Sequence, residues 1–280
     1  MEQKKRIGLI QIDGTMPNIA LMKLSQFHKK QGHDTVFIDL SSLGVDSWYG
    51  SKIFMGGSGY NIKSKLPKEI EVLAPDYERF DLDYSIGFTS RGCVRDCGFC
   101  IVKEKEGQMC EVDFMPQLKH SKFIIMDNNF LASPNWKQKL EFFIANKIKI
   151  NFNQGLDIRM IDSERARLLS QSSYYDKNFT KRRIYFAFDN PNDEEKFHAK
   201  LRLVLEYIPA GRIMIYMLVG FNTSWEQDWH RFKVIDSYGC DPFVMVYNNR
   251  KDDKRLRDFA RWVNRRMYRT VRFEDYDRNR

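Results

Sequence analysis

Residues 91–100 read RGCVRDCGFC, which places Cys93, Cys97 and Cys100 within ten residues of a 280-residue chain that holds five cysteines. A chain of this length buries a real core, as one large α/β domain or two unequal ones, and has no need of disulfide staples. It contains no run of about 18 uninterrupted apolar residues, and the apolar stretch in MEQKKRIGLIQIDG is too short for a secretion signal. A soluble, unexported, cytoplasmic protein without membrane contact is therefore expected. In such a reducing compartment a tight thiol cluster ligates metal or does redox chemistry rather than cross-linking.

Three thiolates so placed can bind three corners of a cuboidal iron–sulfur cluster, leaving one iron for a ligand that is not protein. Zinc is the competing metal, but a structural zinc site takes four ligands, usually with a second Cys or His pair. Cys110 and Cys240 stand singly, and His120 belongs to no His-x-x-His pair. Both leftover cysteines are expected to be buried small hydrophobes.

Outward from the thiols, strand and helix signals alternate. YSIGFTS (84–90), KFIIMDNN (122–129), IKINFNQG (148–155), RRIYFAFD (182–189), RIMIYMLVGF (212–221) and DPFVMVYN (241–248) read as strands. Amphipathic stretches such as DSERARLLSQS (162–172) and DEEKFHAKLRLVLEYI (193–208) lie between them. Six such units with parallel strands imply a curved or partly closed barrel, in which functional groups gather at the C-terminal strand ends. The cysteines follow the first of these strands.

Before them, residues 6–13, a helix patterned by Ile19, Leu21, Met22, Leu24 and Phe27, and TVFIDL (35–40) predict a βαβ unit; KIFMGG (52–57) predicts a third strand. Pro67 to Tyr84 reads as a linker. The expected organisation is a small Rossmann-like α/β domain over 1–80, the six-unit barrel over 84–247, and a basic C-terminal helix and tail over 248–280. That helix should bury Leu256, Phe259, Trp262 and Val263 on one side.

Lys and Arg number 46 against 37 Asp and Glu, a formal +9. From Arg250 to Arg280 there are 12 basic and 6 acidic residues, so this tail supplies +6 of it. The bland account of such a run is a solvated helix face. The sharper one is a polyanionic partner, with the arginines on phosphates and aromatic residues such as Trp262 and Tyr268 as a stacking platform.

The pattern Cys93-x3-Cys97-x-Phe99-Cys100 resembles the defining motif of the radical S-adenosylmethionine enzymes, and the likeness extends over residues 84–247. It implies a partial (β/α)6 barrel. It also implies a [4Fe–4S] cluster held by Cys93, Cys97 and Cys100, with S-adenosylmethionine on its free iron. In this family one electron delivered through the cluster cleaves the sulfonium bond, giving methionine and a 5′-deoxyadenosyl radical that abstracts hydrogen; a flavodoxin or ferredoxin would supply the electron.

The resemblance places Phe99 beside the cofactor. MDNNF, with Asp127, Asn128 and Asn129, is similar to the segment that reaches the amino group of S-adenosylmethionine. In NQGLDIR, Gln154, Asp157 and Arg159 fall where members keep polar contacts to substrate or to the methionine carboxylate. Gly220, with Thr223 and Glu226, resembles the fifth-strand element near the adenine. Each has a plainer account: turn chemistry for the asparagines and Gly220, a structural ion pair for Asp157 and Arg159.

Residues 1–80 resemble the cobalamin-binding domain that precedes many of these enzymes. They lack its Asp-x-His-x-x-Gly ligand sequence, since His28 is followed by Lys-Lys-Gln-Gly and His33 by Asp-Thr-Val. A degenerate domain without cobalamin is expected. GGSG (56–59) is too short for a dinucleotide loop. The substrate stays unidentified, with nucleic acid or another phosphorylated molecule favoured by the charge. The alternative is an iron–sulfur or zinc protein that binds nucleic acid without radical catalysis; an electron carrier would fill all four iron corners with protein ligands.

Overall fold

Residues 3–38, 44–52, 66–250 and 252–276 are described by a computed structural model, a mixed α/β protein built on parallel sheets. The chain divides into two units, Met1–Gly87 with Asp113–Ser121, and Phe88–Val112 with Lys122–Arg280. Among the described residues no helix is long and apolar enough to cross a membrane.

In the first unit, β1 (Arg6–Gln11) is the centre of a parallel sheet, flanked by β2 (Asp34–Phe37) and β3 (Ser47–Ser51). Helix α1 (Ile19–Lys30) starts at Asn18, whose side chain accepts from the N–H groups of Ala20 and Leu21. Its apolar stripe packs Leu21 and Leu24 with Leu9 and Ile70, the last from the short helix α2 (Lys68–Glu71). Strand β4 (Ser85–Gly87) is fully buried, and the Tyr77 hydroxyl bonds both to the main chain of Ile86 and to Gln117 O.

The reading of residues 67–84 as a linker is therefore corrected. Asp76 and Tyr77 are buried, and Asp76 accepts from Ser25 at 2.6 Å and Lys29 at 3.1 Å, while Ser25 also bonds Thr35. A buried carboxylate needs such partners, and they tie this segment onto α1. The described strand beside β1, across from β2, is SWYGS; KIFMGG from residue 53 onward, with GGSG, lies outside the described residues.

The second unit begins with a two-residue antiparallel pair, β5 (Ser90–Arg91) and β6 (Cys110–Glu111), with helix α3 (Val102–Glu106) between them. Parallel strands then alternate with helices: β7 (Lys122–Ile125), α4 (Trp136–Ala145), β8 (Lys149–Phe152), α5 (Ser163–Gln171), β9 (Ser173–Tyr174), β10 (Ile184–Ala187), α6 (Glu194–Leu205), β11 (Ile213–Val219), α7 (Trp225–Ser237), β12 (Asp241–Val246) and α8 (Lys254–Asn264). Strand β8 lies between β7 and β9, β11 lies between β10 and β12, and a parallel bridge from Leu156 to Phe186 links the two runs.

Burial explains the pattern. On β11 Ile213, Ile215, Met217 and Val219 are fully buried, while Met214, Tyr216 and Leu218 on the other face are half-buried. Phe123, Ile124 and Ile125 of β7 are buried on both faces, as the middle of a parallel sheet requires. Helix α8 buries Leu256, Phe259, Trp262 and Val263 as expected, and Asn264 bonds the N–H and C=O of Val244 on β12. Trp262 is therefore unavailable as a stacking platform, which corrects that part of the tail's sharper reading.

Candidate functional site

The thiol loop is pinned at its base. Arg91 pairs with Cys110 across β5 and β6, closing residues 92–109 into an excursion. Gly92 has φ +73°, and a Cβ there would lie 2.3 Å from Gln108 O and 2.7 Å from Gly107 O, so only glycine allows the crossing. Glu106 draws the loop together by accepting from Arg91 Nε at 2.9 Å, the Gly92 N–H at 3.1 Å and Asn128 Nδ2 at 2.8 Å. Cys97 and Cys100 share a turn in which the Cys100 N–H donates to Cys97 O at 2.9 Å.

Groups from the C-terminal ends of β7 and β8 meet this loop. Asp157, just past β8, accepts from Arg95 Nε at 2.9 Å and from Arg159 Nε at 2.7 Å, and Asn129 Nδ2 lies 3.4 Å from it. The same Asn129 nitrogen is 3.7 Å from Cys93 Sγ, which also accepts from the Arg95 N–H at 3.3 Å. Arg159 lies near enough to Cys97 for its charge to act on the thiol, and it donates to Asp193 at 3.0 Å. Asp127 is buried and holds the strand before the loop, accepting from the Thr89 N–H at 2.6 Å, Thr89 Oγ1 at 2.5 Å and Ser90 Oγ at 2.7 Å.

The charges follow from this geometry. Burial would raise the Asp157 carboxyl, but Arg159 and Arg95 hold it below the usual carboxylate range. Burial raises Asp127 despite its hydroxyl and N–H donors. Burial also pushes the Cys97 thiol up; Arg159 opposes this, while Cys100 and Cys93 add to it. Among the described residues the buried Asn129 Oδ1 atom has no hydrogen-bond partner, an unsatisfied acceptor in the middle of the network.

Of the residues expected here, Cys93, Asn129, Asp157 and Arg159 are joined through Arg95 in one set of contacts with Cys97 beside Arg159, Asn128 holds the loop's base through Glu106, and Asp127 braces the strand before it. Phe99 packs edge-on against Phe221, just past β11 and Gly220, with ring centroids 5.5 Å apart, and Phe221 meets Tyr247 at 4.9 Å. Gly220 itself donates to Thr223 Oγ1 and to Asp228. Gln154 and Glu226 are exposed, Glu226 in the first turn of α7, and among the described residues no hydrogen bond or ion pair joins either to the thiol loop.

Arg95, Glu106 and Asp193 were not singled out from the sequence; Arg95 lies inside the cysteine motif, and Glu106 looks like one more charge in a KEKE run. Cys240 is buried, its thiol pushed up to about 12 by burial, but Cys110 is exposed. That corrects the expectation for Cys110: a two-residue surface hairpin offers no core to enter. Among the described residues no three His, Cys, Asp or Glu side chains are gathered so as to hold a metal ion. No known family's model matches the chain, and no curated protein matches it.

Proposed function

We propose that this chain is a radical S-adenosylmethionine enzyme whose [4Fe–4S] cluster is held by Cys93, Cys97 and Cys100. The observation that carries the reading is the meeting of Asn129 from the end of β7 and Asp157 and Arg159 from the end of β8 on the loop that bears the three thiols. The parallel order of β7, β8, β10, β11 and β12, each pair separated by helix, is what a partial (β/α)6 barrel would require.

In kind, though not in their present arrangement, the donors suit the group: among the described residues the three thiols are not gathered about one point. One loop offers three thiols and no fourth thiol or imidazole, which suits a cluster with one open iron better than a closed zinc site. The unpartnered Asn129 Oδ1 is a buried acceptor suited to an ammonium group, as the resemblance of MDNNF implies. When bound, the cluster and S-adenosylmethionine supply one-electron cleavage of the sulfonium bond to methionine and a 5′-deoxyadenosyl radical. The chain's own residues fix the loop: Asp157 clamps Arg95 against Arg159, and Glu106 ties the loop's two ends to Asn128. The reductant would be a flavodoxin- or ferredoxin-like carrier in a reducing cytoplasm, and the first unit a cobalamin-binding-like domain without its cofactor.

The test is anaerobic reconstitution with iron and sulfide, addition of S-adenosylmethionine and dithionite, and mass spectrometry for 5′-deoxyadenosine. Product from the native chain and none from Cys97→Ala is expected; failure to assemble any cluster overturns the reading. The exposed arginines of α8 favour a second reading, an iron–sulfur or zinc protein that binds nucleic acid without radical chemistry. Bound metal and salt-dependent binding with no deoxyadenosine would select it.

A further inference from the structure

The buried face of α8 leaves an opposite face on which Arg257 and Arg261 recur, with the capping residue Arg265 in line four residues further on. Arg257 and Arg265 are exposed and Arg261 is half-buried, and among the described residues none of the three has an ion pair or a side-chain hydrogen bond. Like charges at this spacing repel and destabilise a helix. Several exposed arginines elsewhere are matched, Arg79 by Asp34, Arg250 by Asp253 and Arg272 by Asp275, while Arg202 and Arg212 stand singly rather than in a row. The stripe continues past the helix end into Arg266 and Arg269, which share Asp241 with Arg183 and stay about half-exposed. Arg266 sits at φ +58°, where glycine is usual after a helix. Asp236 and Asp241 lie near Arg269 and offset part of the charge there.

We propose that this stripe is the docking surface for the phosphate backbone of a single-stranded nucleic acid, with Arg257, Arg261 and Arg265 each meeting a phosphate. Four helical residues advance about 6 Å, a step comparable to that between successive phosphates. Guanidinium groups suit phosphate because their planar fork donates two bonds at once. Trp262 takes no part, since it is buried in the opposite face. The inference deepens the proposed function by naming the partner class, and rests on that reading only for the idea that the bound strand is the substrate.

The experiment measures anisotropy of a fluorescein-labelled 20-nucleotide single strand, as DNA and as RNA, with the full chain across a salt series. Each arginine that meets a phosphate contributes a slope of about −0.7 in log K against log salt. Each Arg→Gln change at 257, 261 or 265 should therefore weaken binding about fivefold at 0.1 M salt, and all three together about a hundredfold. Arg202→Gln, an exposed arginine on α6, should change nothing. Thermal melting checks that the variants fold. Native affinity in the triple variant, or binding to vesicles of anionic lipid but not to the strand, overturns the proposal. Because the readout needs no cluster, binding without deoxyadenosine formation would sink the radical reading alone, and deoxyadenosine without strand binding would sink the docking surface alone.

Discussion

Replacing Arg231 with Met should unfold much of the second unit's C-terminal strand edge. Its guanidinium is wholly buried and donates to Phe188 O and Asp189 O at 2.8 Å, to Leu218 O at 2.7 Å and to Asp228 Oδ1 at 2.5 Å. These acceptors lie past the end of β10, near the end of β11 and on α7, so one side chain binds three elements. Asp228 is also buried, and its other oxygen accepts from the Gly220 N–H at 3.0 Å. Removing one partner of a buried pair leaves an uncompensated charge and costs about 3–5 kcal/mol, a large part of the 5–15 kcal/mol typical of a folded domain. Urea unfolding followed by tryptophan fluorescence suits the assay, because Trp225, Trp229 and Trp262 cluster around Phe259. Adding Asp228→Asn should recover about 1–2 kcal/mol, since a neutral amide can still accept from Gly220. A loss below about 1 kcal/mol for Arg231→Met, or a double variant no more stable than the single, would refute the argument.

Gly92→Ala should destabilise the thiol loop by more than the ~1 kcal/mol of an ordinary glycine replacement, because the clash is with backbone; faster labelling of Cys93 and Cys97 by a thiol reagent would report it. Asp157→Ala leaves Arg95 and Arg159 without their shared carboxylate, and should lower iron uptake on reconstitution while leaving the unfolding of the first unit unchanged. His28 is buried with both ring nitrogens unpartnered among the described residues, and burial, with His33 and Lys5 nearby, lowers it below its ordinary 6.5. A folded-state value below the unfolded one means stability is complete above about pH 6.5 and declines as pH falls, since the unfolded chain takes up the proton first. His28→Phe should flatten the dependence of the melting temperature between pH 7 and 5; an unchanged slope would assign that dependence to other groups.

The alternation of strands and helices was legible because period-2 and period-3.6 apolar patterns are properties of short segments. Ile213, Ile215, Met217 and Val219 announce β11, and Leu256, Phe259, Trp262 and Val263 announce the buried face of α8. The two-residue strands β5 and β6 carry no period, so the hairpin that closes the thiol loop, and with it the exposure of Cys110, could not be read. Nor could the docking of residues 67–84, whose polar sequence hides the fact that Asp76 meets Ser25 and Lys29 about fifty residues earlier.

The sequence by itself determined the donor chemistry, three thiols in one loop, and the regular alternation that puts polar residues at strand ends. Which of those polar residues meet the thiols was decided only in the tertiary structure. Asp157 is 62 residues from Arg95, and a charge pair across that distance leaves no local trace. The same holds for the charges left over: Arg250 and Arg272 find carboxylates three residues away, whereas the isolation of Arg257, Arg261 and Arg265 appears only in the tertiary structure, where among the described residues no acid pairs with them.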